Sequence, residues 1–357
     1  MPRHSSYTWR CIVLLGFIGF VLPVICAACQ ESQSPQSDGA SVSVAQTELN
    51  DSRDLFVGTW RLLRVERYDH TGARLSAPAP GTFGAGEPLG YLMYDGLHMG
   101  VIIQQEGRVT YPVNQRTPDD ALAAVSGYWS YFGTYSVNEP ESYVTHRVVG
   151  SLNQRRVGAE YQRYYELSND QLTLLPPLSC PDSFVTDSGC GYGTTGIQLR
   201  VVWQKLSPQP AATSDGRRFF GFWAIDSLTR ETLEGESIVT GEFAEGYLAY
   251  MPSGHMAVQL MRPGRSSYGG MRPTAVEADA AMGTYVSYAG PFTVQADEGY
   301  VRHHRAANLE PNGMEVDAQR FYEFQDGQLI LILPSRTVAG HQTQSYIHWN
   351  RISTLGE

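Results

Sequence analysis

The sequence predicts an all-β protein of two tandem antiparallel up-and-down β-barrels, each with one short helix, and three observations predict it. The chain is written twice: residues 128–177 lie on residues 285–334 at a constant offset of 157, without a gap and with 18 identical positions in 50. A unit of about 150 residues can bury its own core, so the repeat is a tandem of whole domains and not a solenoid of small units. The segments between turn signals are short and rich in Tyr, Val, Leu and Trp, the composition of strands. Helical patterning, acids near the start followed by alanines, is confined to 118–125 and its counterpart 274–282.

In chain order, copy one predicts strands at 59–66, 89–94, 99–104, 131–137, 143–149, 160–167, 171–175 and 197–204, and copy two repeats the series. Eight mostly sequential strands suit an up-and-down barrel, which removes exposed edges and leaves an interior for one small ligand. The duplication also serves as an internal control, since what both copies keep is what the architecture or a shared site demands.

Ahead of the barrels, Arg3 and Arg10 precede an apolar stretch from Cys11 to Ala28 that ends in small residues. That is the layout of an export signal over 1–28; the stretch is also long enough for an uncleaved membrane anchor, which is the alternative. Residues 29–53 are rich in Gln, Ser, Asp and Ala, carry no periodic apolar pattern and read as a flexible tether. The barrels are then expected at 54–207 and 216–354. Without the signal the chain has 24 basic and 36 acidic residues, a net charge of −12, and no basic run. Such a surface excludes nucleic acid as a partner. Once Cys11 and Cys26 leave with the signal, Cys180 and Cys190 remain in the body, with nine residues between them, beside Pro181 and Gly189. In an oxidising compartment a local disulfide is the simplest reading; a metal site is the rival, weakened by the lack of a second thiol pair.

Several stations in copy one resemble the bacterial and fungal lipocalin-like domain family: Gly-Thr-Trp-Arg-Leu at 58–62, Gly-Tyr-Leu-Met-Tyr-Asp-Gly at 90–96, Tyr-Phe-Gly-Thr-Tyr at 131–135 and Val-Thr-His at 144–146. Copy two is similar more loosely, with Gly-Phe-Trp, Tyr-Ala-Gly-Pro-Phe and Val-Arg-His at the same stations. The resemblance implies a small β-barrel with a cavity, of the sort that binds amphipathic molecules or, in some relatives, shapes a reaction. It also puts Trp60 and Trp223 at the closed base, where packing is their expected role. Cys29, after Ala27 and Ala28, is similar to the acylated cysteine of a bacterial lipobox, with Cys26 where Leu is usual. An exported protein of the cell envelope, held to the membrane by its N-terminal lipid, is the expected setting.

Strand alternation assigns faces. Val144, His146 and Val148 share one side of the fifth strand, as do Val301, His303 and Arg305 in copy two. Tyr161, Arg163 and Tyr165 share a side of the next strand, matched by Ala318, Arg320 and Tyr322. The apolar company points His146 and Arg163 inward, and Tyr94, Tyr131, Tyr250 and Tyr288 add hydroxyls. Such a lumen suits a ligand with an apolar body and a carboxylate, enolate or phenolic head. The competing reading is structural: a buried arginine needs a partner, which Glu160, Glu166 or Asp69 could supply, and a histidine kept in both copies could simply bond a neighbouring strand.

The first functional expectation is therefore a small-molecule-binding barrel pair without a cofactor. The alternative is an isomerase or cyclase in which His146 or His303 moves a proton while Arg163 or Arg320 and a tyrosine steady an oxyanion. A third reading leaves copy two as a degenerate partner, since Pro291 and Phe292 replace Thr134 and Tyr135. Metal chemistry is not expected: His303 and His304 are adjacent on a strand and face opposite ways. Neither Gly189-Cys190-Gly191 nor Pro252-Ser253-Gly254 has a nucleophile-elbow frame.

Overall fold

The computed structural model describes residues 53–69, 71–76, 86–176, 198–209, 213–238, 243–270, 272–338 and 340–355. The signal, the tether up to Ser52, Cys29 and the Cys180/Cys190 pair lie outside the described residues. Copy one runs β1 (Gly58–Tyr68), β2 (Leu89–Tyr94), β3 (His98–Gln104), α1 (Pro118–Ser126), β4 (Tyr128–Asn138), β5 (Tyr143–Ser151), β6 (Glu160–Ser168), β7 (Gln171–Leu175) and β8 (Gln198–Lys205). The eight strands form a closed antiparallel barrel in chain order, β8 returning to pair β1.

Copy two runs β9 (Gly221–Thr232), β10 (Ser237–Ile238), β11 (Glu245–Tyr250), β12 (His255–Met261), α2 (Ala275–Thr284), β13 (Tyr285–Gln295), β14 (Tyr300–His304), β15 (Ala307–Asn308), β16 (Asp317–Gln325), β17 (Gln328–Ile332), β18 (Arg336–Val338) and β19 (His341–Arg351). Its ring is β9-β11-β12-β13-β14-β16-β17-β19, closed by β19 on β9; the short β10, β15 and β18 pair with β9, β13 and β19. The expected strands are all present, β2 and β7 with the predicted limits. Strand β4 starts three residues before the predicted 131, because α1 ends at Gly127 and the chain passes directly into the sheet.

Both helices open on a capping box: Thr117 with Asp120, and Thr274 with Glu277. Each threonine oxygen accepts an otherwise orphaned backbone N–H while the acid reaches back to the cap. Thr117→Ala and Thr274→Ala are each expected to cost about 1 kcal/mol, read as a lower urea midpoint at unchanged slope.

Three apolar cores hold the two barrels. One fills barrel one, with Phe56, Trp60, Leu92, Tyr94, Val101 and Tyr131 among its members. A second fills barrel two, around Phe219, Trp223, Leu248, Tyr250 and Trp349. The third joins the barrels: the outer faces of β2 to β5 with α1 meet those of β11 to β13 with α2, through Ile102, Phe132, Ala257, Met261, Ala121 and Ala278 among others. Strand β3 is accordingly buried on every residue, with Met99, Val101 and Ile103 turned to its own lumen and Ile102 to the other barrel.

The base tryptophans pack as expected. The Trp60 indole N–H donates to the Phe56 carbonyl at 2.7 Å and Trp223 to Phe219 at 2.8 Å. Lys205 and Arg351 lie over the two rings, 5.2 and 4.0 Å from the centroids, in cation–π contact.

Candidate functional site

Barrel one holds a partly open cavity of about 60 Å³, room for about four or five water molecules. Seven strands line it, mostly with apolar side chains: Leu92, Val101, Ile103, Trp129, Leu174, Leu199 and Val201, with Pro176 beyond β7. Four polar side chains also reach it: Tyr131 from β4, His146 from β5, Arg163 from β6 and Trp203 from β8. An aromatic plug closes one side of the Tyr94–His146–Tyr131 triad, where Phe56 meets Tyr94 and Tyr165 edge-on at 5.7 and 5.0 Å and Tyr94 meets Tyr135 at 4.6 Å.

His146 is held between two tyrosines. Its Nε2 lies 2.7 Å from the Tyr94 hydroxyl and its Nδ1 lies 2.8 Å from the Tyr131 hydroxyl. Burial, with the nearby Arg163 charge, pulls the imidazole down to about 3, so it is neutral at ordinary pH. Burial likewise pushes the Tyr131 phenol up to about 12 and the Tyr94 phenol well above its usual value. Two hydroxyls and one neutral imidazole carry three mobile protons, and the two contacts use two of them. If Tyr94 donates to Nε2, then Nδ1–H donates to Tyr131 and the spare proton sits on Tyr131, which lines the cavity. The opposite tautomer would strand it on Tyr94, which is fully buried among Phe56 and Tyr135 and meets no other acceptor among the described residues. The cost of a buried unsatisfied donor selects the first arrangement.

The cavity holds a second available donor. Trp203 is 2% exposed, and its indole N–H has no hydrogen-bond partner among the described residues. The buried Arg163 also borders the cavity, one of its N–H groups donating to the Gln162 carbonyl at 2.8 Å. Its guanidinium lies 4.9 Å from the Tyr161 ring centroid.

Two of the carboxylates considered for Arg163, Glu160 and Glu166, go elsewhere. Glu160 pairs with Arg147 at 2.8 Å and Glu166 with Arg200, both on the outer face, while Asp69 receives the backbone N–H groups of Thr71 and Ala73. The pleat explains two of these, because residues 160 and 166 stand an odd number of places from 163 and point outward.

Barrel two repeats the centre. His303 Nε2 lies 2.6 Å from the Tyr250 hydroxyl and Nδ1 lies 3.0 Å from Tyr288. Burial holds His303 well below its ordinary value, with Arg320 adding to the effect. Trp349, 1% exposed, repeats the unpartnered indole N–H of Trp203. Tyr165 and Tyr322 are set apart from both triads: Tyr165 packs on Phe56, and Tyr322 packs on Phe219 at 4.8 Å. His304 turns outward to Asp317 at 2.9 Å, as alternation requires.

Trp203 and Trp349 escaped the sequence reading because the gap-free duplication stops at 177 and 334. The signal was there: Val-Val-Trp-Gln-Lys at 201–205 and Ile-His-Trp-Asn-Arg at 347–351 end both copies, and both tryptophans fall at the same step of the closing strand.

The two eight-stranded barrels, each with a buried polar centre, define a tandem of small barrels of the ligand-binding kind. A family model described as a lipocalin-like domain matches residues 57–194 and again 220–352. The chain belongs to the lipocalin-like domain family, as a tandem duplicate. A crystal structure of a protein of unknown function from the DUF3598 family of Nostoc punctiforme aligns over 84% of this chain and 98% of that one, at 7% identity and a TM-score of 0.21. Comparison with curated proteins gave no match.

Proposed function

We propose that barrel one binds a small molecule with an apolar body and a hydrogen-bond-accepting head, a carboxylate, phenolate or carbonyl. The observation that carries this reading is that two donors are left to serve the cavity, the Trp203 indole N–H, which has no partner among the described residues, and the spare Tyr131 proton, with the Arg163 charge beside them. Two donors and a neighbouring cation bordering an apolar chamber suit an oxygen head, charged or neutral, and the chamber's size favours compact ligands. The proton-transfer alternative fits less well, because an imidazole held at about 3 is a poor base near neutral pH.

The setting belongs to the same proposal: an exported protein tethered to the cell envelope through acylated Cys29, its barrels outside the cytoplasm. Cys29→Ser is expected to move the protein from the membrane fraction to the soluble one.

Trp129 and Trp203 line the chamber and supply a fluorescence signal. Titration with short-chain carboxylates and small phenols should quench it saturably. Arg163→Gln and Trp203→Phe should each weaken binding about tenfold, the cost of one charge-assisted or one buried hydrogen bond, while the melting temperature stays near that of the parent. Equal affinity for acids and for hydrocarbons of the same shape would refute the donor-based reading.

A further inference from the structure

The contacts between the barrels obey a rule that the barrels themselves do not require. Arg108 of copy one donates to the carbonyls of Asn308 and, at 2.6 Å, Leu309. Arg265 of copy two donates to the carbonyls of Ser151 and Leu152, both at 2.6 Å. Each of these residues is the other's counterpart at the 157-residue offset. The same holds for Tyr128 with Ser287 at 3.0 Å and Tyr285 with Ser130 at 3.2 Å. Ser130 and Ser287 are counterparts of one another and meet at 2.9 Å, so the axis relating the halves passes between them. The ring pairs Tyr91 with His255 and His98 with Tyr247 repeat the exchange, His98 and His255 being counterparts at 157 and Tyr91 and Tyr247 at 156, because copy two has one more residue between these stations. Where residue i touches j and the counterpart of j touches the counterpart of i, the interface is isologous, the geometry of a two-fold homodimer.

We propose that this face, the outer surface of β2 to β5 with α1, is a self-pairing surface whose fitting partner is a second barrel of the same kind, and that the tandem is a fused dimer held by the face and not by its linker. The third apolar core lies on this face, which is what an obligate dimer interface requires. Departures from symmetry tell which pairing is preferred: Arg116 pairs with Asp279 at 2.9 Å where the counterpart of Arg116 is Pro273, and Gln104 donates to the Ala306 carbonyl at 3.2 Å where its counterpart is Met261. Copy two has Gln259 where copy one has Ile102, and Gln259 accepts from Ser130 at 2.6 Å and from Tyr285 at 2.9 Å. A pair of first barrels would lose those bonds but keep the arginine, tyrosine and serine exchanges. The unlike pair should therefore dominate, with like pairs of the first barrel present as a minor species.

The test uses the full chain with a protease site inserted between Gln209 and Thr213. After cleavage, the halves should elute together at the parent's size. Mixing cleaved protein from unlabelled and isotope-labelled preparations should give native mass spectra with exchanged unlike pairs and a smaller population of first-half homodimers. Arg108→Ala and Arg265→Ala in the cleaved protein should each weaken the complex by roughly thirtyfold or more, the cost of truncating a buried interfacial cation, and to the same extent within a factor of about three. Halves that separate into monomers on cleavage, or a first half that never pairs with itself, would overturn the proposal. So would arginine effects differing by more than tenfold, because equivalent positions in an isologous face must weigh alike.

Discussion

Between pH 7.5 and pH 5 the protein is expected to lose about 4 kcal/mol of folding stability through two histidines. His146 is held down to about 3 and His303 well below its ordinary value, both through burial first, whereas an unfolded histidine titrates near 6.5. The unfolded chain therefore binds more protons than the folded one below pH 6.5, and stability falls as the pH is lowered. Each imidazole contributes about 1.4 kcal/mol per pH unit, or about 2 kcal/mol from 6.5 to 5. His255, also lowered by burial, adds in the same direction. Asp95 and Glu66 are lowered too, but carboxylates titrate near 4 when unfolded and act below this window. Urea midpoints across the range measure the loss. His146→Gln should be less stable at pH 7.5 yet lose about 2 kcal/mol less on going to pH 5. A flat profile would mean that the imidazoles accept a proton inside the folded barrels.

Gly133→Ala and Gly290→Ala are expected to destabilise the protein by about 3 kcal/mol each. A Cβ on Gly133 would stand 1.9 Å from the Arg147 carbonyl oxygen, and one on Gly290 1.9 Å from that of His304. Both obstacles are backbone of the neighbouring strand, so no side chain can swing away. In barrel one the site falls where the β4–β5 register shifts, between Phe132 and Gly133. The shift lets β5 follow the barrel's curve and still carry His146 opposite Tyr135. Thermal melts of the two variants should show similar drops. A change below about 1 kcal/mol in either would mean that the bulge relaxes more cheaply than a packed strand pair allows.

Strand alternation was enough to turn His146 and Arg163 into the lumen, because period two is a local property of extended chain. The same rule, applied to residues 160 and 166, would have removed Glu160 and Glu166 as partners for Arg163. What alternation could not supply was the company each side chain keeps across the barrel. Tyr94 and Tyr131 reach His146 from strands 52 and 15 residues away, and that meeting depends on how the ring closes. Tyr165 shares a face with Arg163, yet it packs on Phe56 because it stands nearer the plugged side.

The sequence by itself determined the duplication, the eight strands of each ring, the helix ahead of β4 and its counterpart ahead of β13, and the inward face of each site strand. These follow from local periodicity, turn chemistry and self-comparison, none of which needs long-range geometry. Only the tertiary structure decided that the barrels share a core and that His146 is locked neutral between two phenols. Only it showed that Trp203 brings to the chamber an N–H with no partner among the described residues. Burial, proton placement and hydrogen-bond satisfaction are set by what surrounds a group from all sides, and those surroundings come from residues far apart along the chain.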